Sequence, residues 1–183
     1  MSNRRYRVAV ITVSDKGSGG EREDASGKLV KEIVIAAGYV VTSYTILPDD
    51  QSRLEKEMKR LCDERLAELI LTTGGTGFSP RDRTPEATMA VAERLVPGIP
   101  EAMRMQGMAI TKRAMLSRAV AAIRGKTLIV NLPGSPKAVR ENLGFIITEL
   151  RHGLDVLTGK GGECGGNGVC AAAPAPFSKS GKN

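Results

Sequence analysis

The chain has 183 residues, a formal net charge of +7, 41% hydrophobic residues, 3% aromatic residues and no Trp. That length suits one domain with its own core, and with so few aromatics there is almost nothing to stack bases on, as single-strand nucleic-acid binders do. The Lys and Arg residues are scattered, with no block of five or more like charges. The basic balance permits nucleic acid, a membrane surface or small anionic ligands. Scattered as it is, it reads as a solvated surface with a modest preference for anions, and no nucleic-acid or membrane partner is expected.

Cys62, Cys164 and Cys170 are an odd number of cysteines behind a start with no signal-peptide pattern. This predicts a reduced, cytoplasmic protein. No apolar run approaches the length that crosses a bilayer.

In chain order, Arg7 to Val13 (R-V-A-V-I-T-V) predicts a first strand, ending in the polar loop Ser14-Asp15-Lys16-Gly17. Asp24 or Ser26 caps a helix running to about Ala37, with Gly38 as its stop. Tyr39 to Ile46 is a second strand, ending in Leu47-Pro48-Asp49-Asp50. A helix from Gln51 to Arg65 places Leu54, Met58, Leu61 and Cys62 on one face. Leu66 to Thr73 is a third strand that breaks into Gly74-Gly75-Thr76-Gly77, with Asp82 shortly after.

Thr84-Pro85-Glu86 opens a helix expected to reach Leu95, and a further helix spans about Pro100 to Ile110. Its Met103, Met105 and Met108 read as flexible core filling, with a ligand-pocket wall or a subunit interface as the alternative. Ala119 to Ile123 and Lys126 to Val130 form a hairpin around Arg124-Gly125, followed by the loop Asn131-Leu132-Pro133-Gly134-Ser135. A last helix covers Pro136 to Leu157, with Val139, Leu143, Ile146, Ile147, Leu150 and Leu154 on one stripe.

Strands alternating with helices predict an α/β fold: a three-layer αβα sandwich around a mostly parallel sheet, with a short hairpin added. The folded domain is expected over residues 1–158 and a flexible Gly/Ala-rich tail over 159–183. Cys164 and Cys170 in that tail match no common zinc spacing.

Four polar loops follow predicted strands, and in open α/β sheets ligands bind at that edge. Gly125-Lys126-Thr127 fails as a P-loop, because Val120 stands where its first glycine is required and a strand follows. The single histidine, His152, sits on the last helix, away from these loops, which removes most Ser/His and Cys/His schemes. Glycine loops, hydroxyls and aspartates remain, an inventory suited to phosphoryl or nucleotidyl transfer. Asp49 and Asp82 could share a Mg²⁺. Each also has a structural reading, Asp49 as a cap or turn after Pro48 and Asp82 as an Asx turn before Thr84. Lys137 at the start of the last helix could meet a phosphate or be simple surface.

The run T-T-G-G-T-G-F-S-P-R-D-R-T-P-E-A-T, with L-P-D-D before it and N-L-P-G-S-P-K-A-V after it, resembles the MogA/MoaB family of molybdenum-cofactor biosynthesis proteins. That family includes the G domain of gephyrin, and the similarity covers about Arg5 to Leu157. The resemblance implies a molybdopterin-binding fold, usually trimeric and sometimes hexameric. It implies adenylyl transfer from ATP to molybdopterin with Mg²⁺, and dealings with other molybdenum-cofactor enzymes. The family's catalytic aspartates correspond to Asp49 and Asp82, which would also bind the metal. Its substrate loops correspond to Ser14 and Asp15, to Thr73, Gly74, Gly75, Thr76 and Gly77, and to Asn131, Pro133, Gly134 and Ser135. A non-catalytic paralogue that binds or delivers molybdopterin is the alternative.

Overall fold

A computed structural model describes residues 5–21 and 23–159. The tail with Cys164 and Cys170 lies outside the described residues. The chain runs β1 (Arg7–Val13), α1 (Asp15–Ser18), α2 (Ala25–Ala36), β2 (Val40–Leu47), α3 (Gln51–Asp63) and β3 (Leu69–Thr73). It continues with α4 (Thr84–Val91), β4 (Arg94–Leu95), α5 (Gly98–Met108), a 3-10 turn (Lys112–Leu116), β5 (Ala121–Arg124), β6 (Thr127–Leu132) and α6 (Pro136–Leu157).

The six strands form one sheet in the order β2-β1-β3-β6-β5-β4. The first four are parallel, while β5 and β4 add antiparallel at one edge. Strand periodicity divides the core. Val8, Val10, Leu69, Leu71, Leu128 and Val130 join a cluster with α2 and α6 residues such as Val30, Val34, Leu143 and Leu150. Their neighbours Ala9, Ile11, Ile70 and Ile129 face the opposite way and pack with Leu54, Met58 and Leu61 of α3 and Ala87 and Val91 of α4. Alternate side chains of one buried strand thus hold two helical layers apart, which is the expected three-layer sandwich. The six expected stripe residues of α6 are all buried.

Three expectations need correction. The α4 helix ends at Val91, and Arg94–Leu95 is a short strand. Glu93 N–H donates to Ile123 O (2.9 Å) and Val96 N–H to Ala121 O (2.8 Å), so pairing with the open edge of β5 outweighs continuing the helix. In α5 only Met103 is core (3% exposed), while Met105 (68%) and Met108 (43%) face outward, so core filling describes one methionine of the three.

The third correction concerns the end of β6. The strand continues to Leu132, which carries Asn131 into the sheet opposite Thr72. Asn131 is fully buried. Its amide donates to Thr72 Oγ1 (3.0 Å) and Thr88 Oγ1 (2.9 Å), and its Oδ1 accepts from Val120 N–H (3.1 Å). It ties β3, α4 and the approach to β5 together within the fold.

Removing that amide takes the partner from the Val120 N–H and the Thr72 hydroxyl, and leaves Thr88 with only its long contact to Met58 Sδ (3.8 Å). Asn131→Ala is expected to lower unfolding free energy by about 1–3 kcal/mol, measured by denaturant titration. A midpoint equal to the wild type would contradict this role.

Candidate functional site

The carboxyl ends of β1, β2, β3 and β6 meet at one edge of the sheet. They enclose a cleft of about 290 Å³ whose lining includes Ser14, Asp24, Ser26, Asp49, Gly74, Gly75, Asp82 and Gly134. It lies between β1, whose connection runs to β2 on one side, and β3, whose connection runs to the β6-β5-β4 side, the switch point at which open α/β sheets bind ligands.

The turn after β3 sets the depth of this cleft. Gly74 has φ +103° and Gly75 φ +64°, conformations that residues with a Cβ rarely adopt. A Cβ on Gly74 would stand 2.3 Å from Val13 O at the end of β1. Gly134 presses on the turn from the β6 side, since a Cβ there would lie 3.2 Å from the Gly74 Cα. Gly74 N–H donates to Leu132 O (3.3 Å), so this N–H is occupied within the fold.

The neighbouring threonines brace the loops. Thr73 Oγ1 donates to Pro133 O (2.7 Å), and Thr84 Oγ1 donates to Gly74 O (2.9 Å). Ser26, at the start of α2, donates to Gly134 O (2.7 Å). Each hydroxyl satisfies a carbonyl that the close approach of loops would otherwise strand.

The carboxylates are distinguished by their partners. Asp50 caps α3 by accepting from Arg53 N–H (2.8 Å), which leaves the neighbouring Asp49 to face the cleft. Burial raises the Asp49 carboxyl above the usual range. The Asp15 N–H bond and the Arg81 charge oppose that rise, while the charges of Asp15 and Asp82 add to it. Asp82 lines the cleft and also accepts from Ser79 N–H (2.9 Å), so it serves the turn and the cleft together.

Asp24 lies on the cleft wall beneath this group. Burial would raise its carboxyl, but hydrogen bonds from Thr12, Tyr44 and the Gly27 and Ser26 backbones outweigh that and hold it below the ordinary value. The Thr12 and Tyr44 hydroxyls each donate to Oδ2 at 2.5 Å, and Gly27 N–H donates to Oδ1 at 2.8 Å.

Of the residues expected to bind substrate, Ser14, Thr73, Gly74, Gly75 and Gly134 line this cleft. Asp15 stands at its rim, where its amide bonds Asp49. Thr76, Gly77 and Pro133 line a neighbouring hollow of about 300 Å³ with Arg104 and Asn142. Ser135 caps α6 by accepting from Ala138 N–H (3.3 Å). Lys137 pairs weakly with Glu141 (4.0 Å) and extends into solvent.

Sequence reasoning missed Arg81 and Arg118. The Arg118 guanidinium straps the loop after β3, donating to Gly77 O (2.7 Å) and Asp82 O (2.7 Å) and pairing with Glu86. Arg118 N–H also donates to Thr76 O (3.0 Å). No local pattern announces an arginine that works on backbone carbonyls some forty positions away.

A family profile described as a probable molybdopterin binding domain matches residues 9–152. A molybdopterin adenylyltransferase of Helicobacter pylori strain J99 is 40% identical over 156 residues, 83% of this chain and 88% of that one. Gephyrin of Dictyostelium discoideum is 39% identical over 163 residues, 84% of this chain but 23% of its own length. The crystal structure of the molybdopterin biosynthesis enzyme MoaB from Thermus thermophilus superposes with a TM-score of 0.80 at 46% identity, covering 85% of this chain and 98% of that one.

Asp24 offers a pH test. Its folded-state pKa lies below the unfolded value, so its contribution is complete above about pH 4 and is lost as pH falls through the depressed folded value. Asp24→Asn should be less stable than wild type at neutral pH, with the two unfolding curves converging as pH drops below about 4. A stability gap that stays constant from pH 7 to pH 3 would exclude the linkage.

Proposed function

The chain belongs to the MogA/MoaB family of molybdopterin-binding proteins, and on that premise we propose that it is a molybdopterin adenylyltransferase of molybdenum-cofactor biosynthesis. An oxygen of the terminal phosphate of molybdopterin attacks the α-phosphorus of ATP. A new P–O bond forms, the bond to the β-phosphate bridge breaks, and its electron pair leaves with pyrophosphate. The products are adenylylated molybdopterin and pyrophosphate.

The observation that carries this reading is the meeting of Asp49 and Asp82 in one cleft with the Gly74–Gly75 turn. They come from loops after different strands, and the parallel order β2-β1-β3 brings both to the same edge. The protein's task in such a transfer is to position phosphates and stabilise charge, so a polar cleft with glycine walls suits it. Ser14 and the turn after β3 receive phosphate, and the hollow beside Thr76 and Gly77 extends the site past the turn.

Asp49 and Asp82 fit Mg²⁺. Both supply hard carboxylate oxygens, and each carboxylate's charge acts on a cleft where burial already disfavours an ionised Asp49. Among the described residues no group of three or more His, Cys, Asp or Glu is placed to hold a metal. An ion held by two carboxylates, water and substrate phosphate is compatible with that. When bound, Mg²⁺ would neutralise charge on the phosphates.

The reading includes assembly into a homotrimer, or a hexamer of the same subunit. Exposed Phe145 and the partly buried Val96 and Ile99 line an apolar groove of about 650 Å³ between α5 and α6, a surface suited to a second copy. It also includes residence in the cytoplasm, where the buried Cys62 stays a free thiol. Among the described residues no helix is long and apolar enough to cross a membrane.

Purified protein supplied with molybdopterin, ATP and Mg²⁺ should release pyrophosphate and form adenylylated molybdopterin. Asp49→Asn and Asp82→Asn should each lower that rate by at least about 100-fold while keeping the wild-type circular dichroism spectrum. Wild-type rates in both variants would refute the assignment of the two aspartates. Tight molybdopterin binding without product, in the unaltered protein, would refute the enzyme.

A further inference from the structure

Three loops are joined at the cleft mouth by one chain of contacts. Arg81, after β3, grips Asp15 with a two-pronged contact: Nε to Oδ2 at 3.1 Å, and Nη2 to Oδ1 and Oδ2 at 2.8 Å each. Asp15, after β1, then meets Asp49, after β2, twice. Asp49 N–H donates to Asp15 Oδ1 (3.0 Å), and Asp15 N–H donates to Asp49 Oδ2 (3.1 Å). The contacts follow the strand order β3, β1, β2 across the rim.

We propose that Arg81 is a positioning residue for Asp49, acting through Asp15. This rests on the adenylyltransferase reading above, in which Asp49 belongs to the reacting site. The geometry gives the clasp a specific result. One Asp49 oxygen, Oδ2, is held by the Asp15 amide. The other, Oδ1, lies beside Gly75, 3.2 Å from where a Cβ on that glycine would stand. Pinning one oxygen directs the other at the glycine turn, where the substrate phosphates are placed.

Arg81 is suited to this and Lys is not. A planar guanidinium holds both oxygens of one carboxylate and fixes its rotation, whereas an ammonium is a point charge that leaves the carboxylate free to turn. The pair would be a poor choice for stability alone, since the Arg81 side chain is 64% exposed and that of Asp15 46%. Exposed pairs of this kind contribute little to folding. Their value lies in restricting direction.

The test compares wild type, Arg81→Gln, Arg81→Lys, Asp15→Asn and the double variant Arg81→Gln with Asp15→Asn. In the adenylylation assay Arg81→Gln should lower kcat about 10- to 100-fold, with KM for ATP within about threefold and the melting temperature nearly unchanged. Arg81→Lys should recover only part of the loss. The double variant should be no worse than the more damaging single one, as expected of residues acting in one chain. A rise in KM for ATP with kcat preserved would make Arg81 a direct phosphate ligand and overturn the proposal. Additive losses, or wild-type kinetics in Arg81→Gln, would overturn it as well.

An activity-free readout separates this from the reaction itself. In ¹H–¹⁵N spectra of the protein without substrates, Arg81→Gln should shift the Asp15 and Asp49 amide signals and speed their hydrogen exchange. Unmoved signals would overturn the clasp even in an active enzyme. Shifted signals in a protein that forms no product would uphold it while the adenylyltransferase reading falls.

Discussion

The approach of three strand ends around Gly74 is the constraint on which the site depends. Strands β1, β3 and β6 run parallel and adjacent, so their loops leave the sheet in the same direction and compete for one small volume. The conflict is resolved by removing a side chain where the backbones meet, at a residue whose φ of +103° is itself a glycine conformation. An alanine there would meet both a steric and a torsional obstacle. The cleft is the space left over once the loops have been packed as tightly as carbonyl oxygens allow.

Packing backbone so closely creates a second demand, because polar groups are buried beside the cleft. The threonines and serines meet it. Thr73, Thr84 and Ser26 donate to the carbonyls of Pro133, Gly74 and Gly134. Deeper in the sheet, Asn131 joins Thr72 to Thr88. The hydroxyl-rich sequence around the glycines therefore supplies internal struts between the loops. Satisfied networks of this kind are rigid, which is what a site that works by positioning requires.

Much of this was legible in the sequence, for identifiable reasons. The β1 strand and α6 were readable to their ends because their apolar patterns are long and end abruptly at polar or glycine-rich stretches. The rim was readable as four loops after four strands. The fate of Asn131 was not, because polar residues at a strand end carry no mark of whether the ladder continues through them. The two residues of β4 pair only because an edge is available, a fact of tertiary structure. Arg81 and Arg118 were invisible for a related reason: their partners are distant in sequence, and exposed arginines are common. Asp24 was readable as a helix cap, which it is, but the hydroxyls of Thr12 and Tyr44 converge on it only after folding.

At the opposite end of the sheet, the Tyr6 hydroxyl donates to the Asp155 carboxylate, and Thr158 lies within 3.4 Å of the same hydroxyl. The residue that leads into the first strand is thus fastened to the last turn of the final helix, and the path of the chain closes on itself like a loop with a clasp. A unit whose entry and exit are neighbours can be spliced into a longer polypeptide, or have its order of elements permuted, without prising the sheet apart. Because that clasp lies far from the glycine turn, anything appended there would leave the cleft's approach open.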